Sequence, residues 1–127
     1  MDATLMKKLQ LKPGQALRVH HAPEGLEQAL ATTAGEGAAG ASAAAPAPAT
    51  LVFVTTFAEA EQRVGPAVEA AAADELSWVA YPKAGKLGAD LNRDSLAAFM
   101  IARGTRPVRQ VALDDTWSAL RFRPAAR

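Results

Sequence analysis

The chain has no cysteine, so it can build neither a disulfide framework nor a thiolate site. Histidine occurs only twice, as the neighbours His20 and His21, which leaves little material for zinc. No stretch approaches the ~20 apolar residues of a membrane-spanning helix. The opening MDATLMKKLQLKPGQ lacks the apolar run of a signal peptide, so a soluble cytoplasmic protein with no membrane partner is expected. Aromatics are sparse. The single Tyr and two Trp are not interleaved with the arginines as a nucleic-acid stacking platform requires, and nucleic acid is disfavoured as a partner.

Large apolar side chains are also limited. Half of the 127 residues count as hydrophobic, but 31 of those 63 are Ala, so 32 larger side chains must build the core of what reads as one domain. Residues 35–50, GEGAAGASAAAPAPAT, hold eight Ala, three Gly, two Pro and no large apolar side chain. Such a segment cannot repay the entropy of being ordered in a core, and it reads as a mobile low-complexity loop. The formal charge of +1 conceals an asymmetry: residues 1–77 carry five basic and nine acidic groups, residues 78–127 nine basic and four acidic. The basic half can meet an anion. The plainer expectation is that Arg103, Arg106, Arg109, Arg121 and Arg123 form a solvated face paired with acids of the first half.

The other segments alternate between strand and helix patterns. Ala16–His21 reads as a strand after the turn signal Lys12-Pro13-Gly14, and Glu24–Ala34 as a short helix. Leu51–Thr56 (LVFVTT) suits a strand covered on both faces. From Phe57 the spacing turns helical: Phe57, Ala60, Val64, Val68 and Ala71 share a face, with Glu59 and Arg63 at i,i+4 outside it. Pro66 lacks an N–H, so this helix should break or kink at Gly65-Pro66. Leu76–Tyr81 is a third strand. Leu96, Phe99 and Met100 mark the buried stripe of another helix, with Asp90 or Asn92 as N-cap and Gly104 as its stop. Pro107–Leu113 and Thr116–Arg123, on either side of Asp114-Asp115, form an antiparallel hairpin.

That order describes an α/β domain with a mainly parallel sheet and an antiparallel end. The blocks LKPGQALRVHHAPEG, LSWVAYPKAG, DLNRDSL and RPVRQVALDDTWSALRFR, about two-fifths of the chain, resemble a family of small bacterial proteins of unknown function. The resemblance implies a reduced Rossmann-like, methyltransferase-like domain of three layers, whose last strand runs antiparallel between two parallel ones. It implies no activity, because the family has none to transfer.

The cofactor motifs of that fold are missing. The turn after ALRVHH reads Ala22-Pro23-Glu24-Gly25, with one glycine where a dinucleotide or S-adenosylmethionine loop uses several, so no cofactor is expected. Gly85-Lys86-Leu87-Gly88 lacks the hydroxyl that follows the lysine of a Walker-type loop, and it reads as a flexible connection into the next helix.

Topology supplies the candidate site. In parallel α/β sheets ligands sit outside the carboxyl ends of the strands. That edge should collect His21 and Glu24 after the first strand, Lys83 after the third, and Asp114, Asp115 and Trp117 at the hairpin: a base, a cation, carboxylates and an aromatic wall. Against this stands the plainer reading that Lys83 pairs with an Asp of the hairpin and Trp117 packs at the rim. No catalytic residue is assigned, since Ser42, Ser77, Ser95 and Ser118 lack a nucleophile-elbow context. Three function classes remain, in descending order: a non-catalytic binding or interaction domain, with a protein partner or a second copy of the chain; a binder of an anionic metabolite or nucleotide at the Lys83 edge; and a divergent transferase.

Overall fold

A computed structural model of the chain describes residues 7–11, 17–23, 49–83, 88 and 90–125. Five strands, β1 (Leu17–His20), β2 (Ala49–Phe53), β3 (Ser77–Pro82), β4 (Thr105–Ala112) and β5 (Trp117–Pro124), form one sheet in the order β1-β2-β3-β5-β4. Strands β1, β2 and β3 pair in parallel, while β5 is antiparallel to both β3 and β4. Strand β4 therefore points the same way as β1–β3, and the antiparallel β5 is inserted between two parallel strands. This is a reduced Rossmann-like α/β layout, as the element order predicts.

Among the described residues the helices are α1 (Phe57–Arg63) and α2 (Gly65–Ala72), between β2 and β3, and α3 (Arg93–Ile101), between β3 and β4. The break expected at Gly65-Pro66 falls there, with Pro66 in the first turn of α2, where its missing N–H costs no hydrogen bond. Thr56 caps α1 by accepting from the Glu59 N–H at 3.1 Å, and Glu59 in turn accepts from the Thr55 N–H at 2.7 Å and pairs with Arg63 at 3.3 Å. Helix α3 passes after Ile101 into a turn that closes at Gly104, whose φ of 88° lies in the left-handed region that glycine adopts without strain. Among the described residues no helix is long and apolar enough to cross a membrane.

The two sheet faces hold two cores. Val52, Val79, Tyr81, Leu120 and Phe122 meet Ala60, Val64, Ala67, Ala71, Leu96 and Met100 of the helices on one face. On the other, Leu51, Phe53, Trp78, Ala80, Trp117 and Ala119 gather with Leu17, Leu113 and Leu9 of the N-terminal segment. Strands β2 and β3 are buried along their whole length because both faces are covered, whereas β4 at the sheet edge is largely exposed.

Boundaries differ from the sequence reading by one to three residues. Strand β2 begins at Ala49, so the last two residues of the 35–50 segment are buried strand, held by pairing with β1 and β3 rather than by their own hydrophobicity. The rest of that segment and the Glu24–Ala34 helix lie outside the described residues.

Candidate functional site

The register carries Lys83 to the hairpin turn. Pro82 at the end of β3 is level with Trp117 at the start of β5, and one residue on, the Lys83 N–H donates to the Thr116 carbonyl at 2.7 Å. The two segments thus meet through the backbone. No ion pair joins the Lys83 ammonium to Asp114 or Asp115. Asp114 turns to the backbone instead, its Oδ1 accepting from the Thr116 N–H at 2.8 Å and the Trp117 N–H at 2.7 Å and so tying the turn together. Asp115 is exposed.

Two other predicted residues do not join Lys83 on the helix side of this edge. Trp117 is only 6 % exposed and packs edge-on against Phe53, ring centroids 5.0 Å apart, in the core on the face opposite α1–α3. It is a core residue there, on the far side of the sheet from the helices. His21 follows β1 with a φ of 63° and is exposed. His20 is level with Val52 and Val79, so His21 sits two strands away from Lys83 and about three residues short of it, on the order of 14 Å apart. Glu24 lies outside the described residues.

On the helix side of this edge opens a cleft of about 540 Å³, lined by Tyr81, Lys83, Asn92, Arg93, Gln110 and Ser118 among others. Tyr81 and Ser118 are cross-strand partners, which turns both toward α3. Tyr81 is 3 % exposed, and its hydroxyl has no hydrogen-bond partner among the described residues. Burial raises its pKa above the ordinary 10.0, while the Ser118 hydroxyl, close enough to interact with the phenol though outside good hydrogen-bond geometry, and the Arg93 charge lower it. The group is therefore a neutral phenol with a proton to donate.

Helix α3 brings its N-terminus to the same place. A capping box fixes it: Asn92 Oδ1 accepts from the Ser95 N–H and Ser95 Oγ from the Asn92 N–H, both at 2.9 Å. The N–H groups of Arg93 and Asp94 find no acceptor among the described residues and carry the positive end of the helix dipole. The Arg93 guanidinium leans on Asp94 at 3.0 Å, with both side chains largely exposed and free to rearrange. Sequence reasoning placed Lys83 here and read Asn92 only as a helix cap, and it missed Tyr81, Ser118 and Arg93 as site residues. The one available signal was a lone Tyr next to the carboxyl end of a strand.

A second depression of about 390 Å³ lies near the β1 edge, between Arg18, His20, Glu69 and Glu75. Burial lowers the His20 pKa, and the neighbouring His21 and Arg18 lower it further. Among the described residues no three His, Asp or Glu side chains gather as a metal site. Comparison with protein-family models, curated proteins and solved structures finds no match to the chain.

Proposed function

We propose that the chain is a non-catalytic binding domain whose ligand is a small anionic metabolite, carrying phosphate or carboxylate, seated in the Tyr81–Lys83–Arg93 cleft. One observation carries this reading: a buried phenol with no well-formed hydrogen bond to a described residue lines a cleft that also holds Lys83, Arg93 with its partner Asp94, and the N-terminus of α3. An unpaired buried hydroxyl costs roughly 1–3 kcal/mol, and an oxyanion accepting from it would recover that cost. The volume suits a metabolite rather than a bare ion. Among the residues lining the cleft Ser118 has no histidine beside it, and we assign it a polar lining role rather than a nucleophilic one. The inserted antiparallel strand also supports membership in the family of small bacterial Rossmann-like proteins that the sequence resembles.

A thermal-shift and calorimetric panel of inorganic phosphate, nucleotides, sugar phosphates and di- and tricarboxylates tests the proposal. A ligand of this site should bind saturably and stabilise the fold by about 2.7 kcal/mol at a hundred times its Kd. Tyr81→Phe and Lys83→Gln should each weaken it by about fivefold or more. Absence of saturable binding by every anion, or binding indifferent to both substitutions, would overturn it.

A further inference from the structure

The opposite face of the sheet carries a separate charge cluster. Arg123 and Arg121 alternate along β5 with the inward Phe122 and share a face with Ala119 and Trp117, away from the helices. Their cross-strand partners are Arg106 and Arg109, which the β4 irregularity between Pro107 and Arg109 returns to that same face. Four guanidiniums thus stand in a two-by-two grid, roughly 5 Å apart across the strands and 7 Å along them at the backbone. Burial first, and then the charges of Arg123 and Arg109, lower the Arg121 pKa, with Asp74 acting in the opposite direction.

The expected pairing of this face with acids of the first half is sparse. Asp74 is the one acid that reaches it among the described residues. It shows what the face recognises, taking Arg123 through two parallel bonds, Nε to Oδ1 at 3.0 Å and Nη2 to Oδ2 at 3.1 Å. Arg121 donates to Gln10 Oε1 at 2.7 Å and leaves its Nε without a partner among the described residues. Arg109 makes no side-chain bond to any described residue and is exposed.

We propose that this arginine face docks an acidic peptide segment of a partner protein. Charge complementarity and the carboxylate fork at Arg123 favour carboxylates as the ligand groups. No described aromatic residue is exposed, so single-stranded nucleic acid would find no stacking surface. Pro107 and the irregularity beside it interrupt the outer edge of β4, so a partner would engage the side chains of the face rather than add a strand. The inference is independent of the cleft, which opens on the other side of the sheet.

Fluorescence anisotropy of the whole chain tests it, with a labelled Glu/Asp-rich 15-residue peptide and with labelled single-stranded and duplex oligonucleotides as probes. The peptide should bind at low salt and weaken as salt rises. Arg109→Gln should weaken it about fivefold without moving the thermal midpoint. Arg103→Gln removes the same charge away from the face, where Arg103 lies over the Phe99 ring, and should change binding less than twofold, on the order of measurement error. No peptide binding at low salt, tighter binding of either oligonucleotide, or equal effects of the two substitutions would overturn the proposal.

Discussion

The indole Nε1 of Trp78 donates to the Leu9 carbonyl oxygen at 3.1 Å, across 69 residues of chain, with both residues fully buried. This bond fastens the N-terminal segment beneath the centre of the sheet. Trp78→Phe would leave a buried carbonyl unpaired and a small void, and should destabilise by roughly 2–4 kcal/mol in urea unfolding. A loss below about 0.5 kcal/mol would mean that the N-terminal segment does not depend on the tether.

Removing the Tyr81 hydroxyl should act in the opposite direction. Because the group is buried and has no hydrogen-bond partner among the described residues, Tyr81→Phe should leave stability unchanged or raise it by about 1 kcal/mol. Denaturant midpoints of the ligand-free protein measure this. Clear destabilisation would show that the hydroxyl has a partner in solution, and the cleft would lose its principal argument.

The adjacent aspartates of the hairpin should separate sharply. Asp114→Ala removes the acceptor of two backbone N–H groups and should cost about 1–2 kcal/mol. Asp115→Ala, at an exposed side chain, should fall within about 0.5 kcal/mol of wild type. Equal losses would show that the turn is held by something other than the Asp114 carboxylate.

Stability should fall as the protein is taken from pH 7.5 to pH 5.5, on the order of the titration range of histidine. His20 has its pKa held below the ordinary 6.5 by burial first and then by His21 and Arg18, so the folded state resists a proton that the unfolded chain accepts. Its contribution is complete above 6.5, declines as pH drops below that value, and levels off once the folded group is itself protonated. Asp74 does not blur this window. Its pKa is depressed below 3.8, chiefly by its bond to Arg123, and its contribution is lost only in stronger acid. His20→Gln should flatten the change between the two pH values, as urea midpoints will show; an undiminished slope would assign it to another group.

The alternation of segments was legible because local physics dictates it. The continuous apolar run of β2 marked a strand covered on both sides, the spacing from Phe57 to Ala71 marked the buried helical stripe, and Pro66 and Gly104 marked a break and an end. Of the candidate site, the edge and Lys83 were readable from the rule that ligands sit beyond the carboxyl ends of parallel strands. The assignment of Trp117 to core was not readable from its place beside a turn. The β5 register faces it toward Phe53, and a shift of one residue would turn it to the other side of the sheet.

The amino-acid sequence alone determined which segments become strands and helices, because capping, proline geometry and hydrophobic period act within a few residues. Only the tertiary structure decided that Tyr81 and Ser118 share a cleft with the start of α3, and that four arginines from two strands share the opposite face. Both groupings depend on strand register and on the insertion of β5 between β3 and β4. Those are set by long-range pairing, and long-range pairing leaves no local period to read.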